Sequence, residues 1–168
     1  YKIINTSSPD RSWPVLLELF PKIRMQVPKA ELHLYYGLDG WRKAAANDPN
    51  QTALINSLEQ KVKNMSGVVF HNRVNQDELA AEFLSAGVWA FPTFWTETSC
   101  IGAMEARAAG CKIVTSKLAA LTETVGKEGV LIEGSWTDKS YQDQFVKEVV
   151  AALKSKTHKK TGNKFDII

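Results

Sequence analysis

Glu97 and Glu105 are separated by seven residues, and what lies around them sets up a definite kind of chemistry. The stretch reads Phe91-Pro92-Thr93-Phe94-Trp95-Thr96-Glu97-Thr98-Ser99-Cys100-Ile101-Gly102-Ala103-Met104-Glu105-Ala106-Arg107-Ala108-Ala109-Gly110. Its pattern predicts a strand ending near Phe91, a loop carrying Glu97, a helix capped by Thr98 or Ser99, and Glu105 about two turns into that helix. The first N–H groups of a helix have no intrahelical partner and sit at the positive end of its dipole, so the amides from Cys100 to Ala103 form a ready anion site. With a carboxylate on each side, that site suits a phosphate flanked by hydroxyl-bearing sugars, because an ionised carboxylate can accept both hydroxyls of a diol.

A scaffold must hold this stretch, and the rest of the chain supplies one. Six β-rich runs, Lys2 to Asn5, Glu31 to Tyr36, Val68 to His71, Val88 to Phe91, Lys112 to Thr115 and Val130 to Ile132, alternate with helical patterns. Val15, Leu16, Leu19, Phe20, Ile23 and Val27 mark one helix, with Ser12 and Pro14 suiting its start and Pro21 expected to kink or split it. Leu54, Leu58 and Val62 mark a helix from Asn50 to Lys63. Gln76 to Ala86 forms a third, framed by Asn75 as cap, Glu78 at the third helical position and Gly87 beyond its end. Short buried strands joined by helical crossovers predict an α/β fold: an open sheet of about six parallel strands with helices on both faces. Ligands bind such sheets at the carboxyl ends of the strands. The loops of interest are therefore Thr6 to Trp13, Gly37 to Trp41, Asn72 to Gln76, Pro92 to Gly102 and Ser116 to Leu121.

Composition narrows the function classes. The chain has 168 residues, 44% hydrophobic and 23% charged, which suits one folded core at residues 1–153 and excludes disordered and fibrous classes. No apolar run approaches the ~20 residues of a membrane helix. The net charge of +3 arises after residue 153, where five lysines and Asp166 give +4 and leave the body near −1. A basic tail at 154–168, rather than a basic folded face, argues against nucleic-acid binding. Cys100 and Cys111 lack paired spacing and imply a reduced, cytoplasmic setting rather than a disulfide. The Asn-x-Ser/Thr triplets at Asn5, Asn50 and Asn64 read as chance matches. There is no Gly-x-Gly-x-x-Gly after the first strand, no Walker A loop, no Asp-x-Asp and no metal-ligand spacing among three histidines, so no metal and no cofactor are expected. His33 and His71 are read as structural.

The ordered series carries a family resemblance. Glu97-x7-Glu105, then Ala106-Arg107-Ala108-Ala109-Gly110, Ile113-Val114 and Ala119-Ala120-Leu121-Thr122-Glu123-Thr124-Val125, resembles the donor-binding, carboxy-terminal half of retaining glycosyltransferases of the GT-B fold. These belong to glycosyltransferase family four, the glycosyl transferases group one, which includes sucrose synthases and mannosyltransferases. Ser8 and Arg11 with Leu16-Leu17, Glu31-Leu32 before Tyr36-Gly37, Phe70 to Val74, and Glu78-Leu79 agree in order, so the resemblance covers roughly residues 2 to 150. It implies a Rossmann-like half domain. Glu105 would accept the nucleotide ribose hydroxyls, and Glu97, the catalytic candidate, would face the donor sugar. The Ser99, Cys100, Ile101 and Gly102 amides would contact diphosphate or sugar, and Arg11 would neutralise the diphosphate. Against these stand plain surface roles for Arg11, Glu97 and Glu105.

Two departures stand out. The lysine common in the family about five residues after Arg11 is replaced by Leu16, and Asn72 stands where relatives often have glycine. Asn is the non-glycine residue best suited to a positive φ. Arg73 is a candidate substitute for the missing lysine, against a surface role, and Val74 would meet the base through main-chain atoms. The resemblance implies metal-independent transfer from a nucleoside diphosphate sugar to an acceptor hydroxyl. It also implies a partner, the amino-terminal GT-B domain of the same polypeptide, without which the chain binds but does not turn over. A non-catalytic nucleotide-binding module and a sugar-nucleotide epimerase half are the alternatives.

Overall fold

Side chains alternate strictly between two hydrophobic layers along the central strands. Ile3, Leu32, Leu34, Val88, Ala90 and Val114 join one layer, while Ile4, Tyr35, Trp89, Phe91 and Ile113 join the other. Both faces are therefore apolar, as buried parallel strands require. The computed structural model describes residues 1–155. The strands are β1 (Lys2–Asn5), β2 (Glu31–Tyr35), β3 (Val68–Asn72), β4 (Val88–Phe91), β5 (Lys112–Ser116) and β6 (Val130–Ile132). They form one six-stranded sheet in the order β3-β2-β1-β4-β5-β6, and every pair is parallel. The α/β expectation is met, and each expected strand lies within one residue of its observed bounds. Only the basic tail falls largely outside the described residues.

Helices α1 (Pro9–Gln26), α3 (Pro49–Asn64) and α7 (Lys139–Lys154) feed the first layer. Helices α4 (Gln76–Ser85), α5 (Ile101–Ala108) and α6 (Leu121–Thr124) feed the second, and α2 (Asp39–Ala44) completes the set. Helix α7 was not anticipated. It buries Tyr141, Phe145, Val149 and Val150 and closes the first layer beside α1.

Three helical expectations need correction. Helix α1 begins at Pro9 behind Ser8, not near Ser12 and Pro14, and runs unbroken through Pro14 and Pro21. Its buried Trp13, Leu16, Leu19, Phe20 and Ile23 contribute roughly 1.5–3 kcal/mol each, which outweighs a proline cost of about 3 kcal/mol. In α3 the buried stripe is Ile55, Leu58 and Val62, and Leu54 sits one residue off it, exposed. Helix α4 is capped as expected, Asn75 Oδ1 accepting from the Glu78 N–H at 2.8 Å. Gly87, however, enters the sheet directly, its N–H donating to the Lys2 carbonyl at 3.0 Å, and it does not adopt a positive φ.

The connections reverse direction between β1 and β4. At such a switch point the loops leaving two adjacent strands diverge and open a crevice at their carboxyl ends. The β1–α1 loop (Thr6 to Ser8) and the β4–α5 loop (Pro92 to Cys100) leave from there.

Candidate functional site

A cavity of about 440 Å³ occupies this crevice. Its walls include all of the residues singled out from the sequence: Arg11 on α1, Asn72, Arg73 and Val74 after β3, Glu97, Ser99 and Cys100 in the β4–α5 loop, and Ile101, Gly102 and Glu105 on α5. Thr6, Ser7, Tyr35 and Gln76 also line it and had no individual motif to announce them.

The start of α5, where the sequence suggested an anion site, differs from expectation. Helix α5 is preceded by Cys100, not capped by Thr98 or Ser99, and no side chain caps it. The N–H groups of Ala103 and Met104 both turn back to the Cys100 carbonyl, at 3.1 and 3.3 Å, so the first-turn amides left for a ligand are those of Ile101 and Gly102. Glu105 consequently lies just over one turn into the helix rather than two. Gly102 is required by close approach: a Cβ there would lie 2.9 Å from Thr6 Oγ1 and 3.5 Å from the Trp89 ring. The glycine lets the β1–α1 loop close on the helix end.

Arg11 and Glu97 are paired. Arg11 Nη1 lies 2.9 and 3.1 Å from the two carboxylate oxygens of Glu97, whose side chain is 9% exposed. The guanidinium also stands 5.4 Å from the Trp95 ring centroid, while its Nε is buried with no partner. The sequence placed these residues at one site but did not announce the bond, because they lie on different elements.

Hydroxyl groups brace the Glu97 loop from three directions. Thr93 Oγ1 donates to the Arg11 carbonyl at 3.1 Å and accepts from the Trp95 N–H at 3.0 Å. Ser116 Oγ donates to the Thr93 carbonyl at 2.6 Å and also meets the Tyr141 hydroxyl of α7 at 2.6 Å. Thr115 Oγ1 donates to the Phe91 carbonyl at 2.7 Å, and the Ala120 N–H reaches the Glu97 carbonyl at 3.2 Å. Ala119, just before it, is held at φ 48, a conformation costly for a residue with a Cβ. Thr93, Ser116 and Tyr141 were missed, since nothing in the residues next to them in sequence marks them as partners of one another.

Glu105 presents the opposite case. Among the described residues no donor reaches its carboxylate, and partial burial raises its pKa by desolvation alone. Asn72 does adopt φ 61, as its residue type suggested, and its carbonyl accepts from the Tyr36 N–H at 3.1 Å. Arg73 lies 4.7 Å over the Tyr36 ring, so it engages that ring as well as the cavity. Leu16 is wholly buried in the first layer and offers the cavity nothing. Cys100 and Cys111 are free, and burial pushes their thiols up to about 11 and about 12. His33 Nδ1 and His71 Nε2 lie 2.9 Å apart, and His71 stacks on Tyr35, with burial lowering both histidine pKa values. Among the described residues, no three His, Cys, Asp or Glu side chains are grouped to hold a metal, and no helix is long and apolar enough to cross a membrane.

The family described as Glycosyl transferases group 1 matches residues 6–155. This chain belongs to that family. No curated protein sequence matches it significantly. Solved structures similar to this glycosyltransferase domain include sucrose-phosphate synthase from Thermosynechococcus elongatus, with 19% identity and a TM-score of 0.64, covering 89% of this chain and 36% of that one. A UDP-forming α,α-trehalose-phosphate synthase from Burkholderia xenovorans has 15% identity and a TM-score of 0.68, covering 91% and 36%. Anabaena HepE, in complex with UDP and glucose, has 14% identity and a TM-score of 0.63, covering 90% and 42%. At these identities the likeness is one of fold, and this chain spans well under half the length of each.

Proposed function

We propose that this domain binds a nucleoside diphosphate sugar as the donor for retaining, metal-independent transfer to an acceptor hydroxyl. The observation that carries the reading is the convergence of Glu105, the Ile101 and Gly102 amides, Arg11 and Glu97 on one cavity at the topological switch point. Family membership and the relatives named above, one UDP-forming and one solved with UDP and glucose, support it.

Each group has a task set by its chemistry. Glu105 accepts the two ribose hydroxyls, which give its unpartnered carboxylate the hydrogen bonds it lacks in the free domain. The amides at the start of α5 and the Arg11 guanidinium take the negative charge of the diphosphate, which grows as the sugar–phosphate bond breaks. Glu97 faces the sugar, and Val74 and Tyr36 lie at the base end. A second domain closes over the donor and brings the acceptor, so the 168-residue chain binds without turnover.

Thermal melting in the presence of chelator tests this. UDP, GDP or ADP should raise the melting temperature with no divalent ion, as any ligand selective for the folded state does. Protection that appears only with Mg²⁺ or Mn²⁺ defeats the metal-independent reading, and turnover by the purified chain defeats the half-enzyme one.

A further inference from the structure

The Arg11–Glu97 bond poses a problem for the roles just proposed, on which this inference rests. Arg11 is to receive a diphosphate and Glu97 a sugar, yet in the free domain each is occupied by the other. We propose that Glu97 is an internal competitor for the diphosphate position of Arg11, and that this competition makes it the residue that discriminates a loaded donor from a spent nucleotide.

The geometry supports displacement rather than a static three-way cluster. A single nitrogen, Nη1, straddles both Glu97 oxygens, and the buried Nε has no partner, so the guanidinium is incompletely used in this pose. Guanidinium binds a carboxylate or phosphate best through two parallel N–H donors. Because Nε is shielded from solvent in this pose, a diphosphate can engage Nε and its neighbouring nitrogen only if the guanidinium moves, which draws Nη1 away from Glu97. A diphosphate beside an intact, ionised Glu97 would instead set two anions against each other in a recessed site.

The two ligands then face different balances. A bare nucleoside diphosphate separates Arg11 from Glu97 and leaves the 9%-exposed carboxylate with nothing in return. A nucleotide sugar separates the same pair but supplies sugar hydroxyls to Glu97, which is held in place through its loop carbonyl and Thr93. Glu97 thus penalises the product and rewards the donor, which favours exchange of one for the other after transfer.

The test is calorimetry of wild-type chain and Glu97→Gln with UDP, GDP and ADP and with their glucose conjugates. For the base that binds, the variant should bind the free diphosphate about two- to five-fold more tightly, the size of a partly exposed ion pair. It should bind the glucose conjugate about five-fold more weakly, for loss of charge-assisted bonds. Unchanged or weaker binding of the free diphosphate by Glu97→Gln overturns the competitor role while leaving nucleotide binding intact. If no nucleotide binds either protein, the nucleotide reading falls and this inference falls with it. Should the variant fail to fold, the ¹⁵N resonance of Arg11 Nε in the wild-type chain decides: it should shift on saturation with the diphosphate, and a resonance that stays put overturns the proposal.

Discussion

Glu97 sits in a loop tied by hydrogen bonds to α1, β5, the loop before α6 and, through Ser116, α7, whereas Glu105 rides a regular helix and its carboxylate has no partner among the described residues. The first carboxylate is satisfied in the free domain; the second is not. A regular helix can aim a side chain by geometry alone, since its backbone bonds are internal. A loop has no such ladder, and every buried backbone group in it must find a partner elsewhere. Hence the threonines, serine and tyrosine around Glu97 and the plain apolar packing of Ala103 and Ala106 beneath Glu105. In the proposed function the difference also separates ligand effects: the Glu105 end would gain bonds from a ribose on binding, and the Glu97 end would exchange its bond to Arg11 for bonds to a sugar.

The largest expected effect sharpens this contrast at the ribose end. Glu105→Ala should weaken nucleoside diphosphate and nucleotide sugar alike, by about 1–3 kcal/mol or roughly five- to 150-fold, measured by calorimetry. No loss would break the assignment of that end.

Next comes the bracing of the Glu97 loop. Thr93→Val removes the donor to the Arg11 carbonyl and the acceptor for the Trp95 N–H, and should cost about 2 kcal/mol in urea unfolding, with Thr93→Ser restoring most of it. An equally unstable Thr93→Ser would show that the methyl group, not the hydroxyl, matters there.

A smaller gain of stability is expected behind Glu97. Ala119→Gly relieves the positive φ and should stabilise the chain, offset in part by the greater freedom of glycine when unfolded; a net rise of roughly 0.5 kcal/mol is anticipated in thermal or urea melts. A net loss would mean that the loop is not strained.

The smallest effect concerns pH and only Glu105. Its pKa is raised in the folded state, so the stability linked to it is fully present below the unfolded value of about 4.3 and is lost as pH rises through the folded value. Glu105→Gln should therefore melt slightly above wild type at pH 7, and the gap should close on acidification below about pH 4. A gap that widens on acidification contradicts the desolvated, unpartnered state of Glu105.

What the sequence by itself determined is what a few neighbouring residues decide. Buried parallel strands must be short continuous apolar runs, so Val88–Phe91 was legible to the residue, and the shorter apolar runs within Lys2–Asn5 and Val130–Ile132 placed those strands as well. Asn75 caps α4 because its side chain reaches an amide three residues on, and Asn72 takes φ 61 because its residue type tolerates it. The ordered motifs likewise named the residues that meet at the cavity. Only the tertiary structure decided how they are joined. Arg11 and Glu97, 86 positions apart, become partners because β1 and β4 are neighbours in the sheet, and Ser116 reaches Thr93, with Tyr141 behind it on Ser116, because β5 and α7 follow beside them. The start of α5 lies past Thr98 and Ser99, behind Cys100, and the Glu97 carbonyl upstream of it accepts from the Ala120 N–H of the loop after β5, a contact set by the β4–β5 pairing. Periodicity and capping act within one or two turns of chain, and strand order and register, which bring distant polar groups within 3 Å, leave no trace at that range.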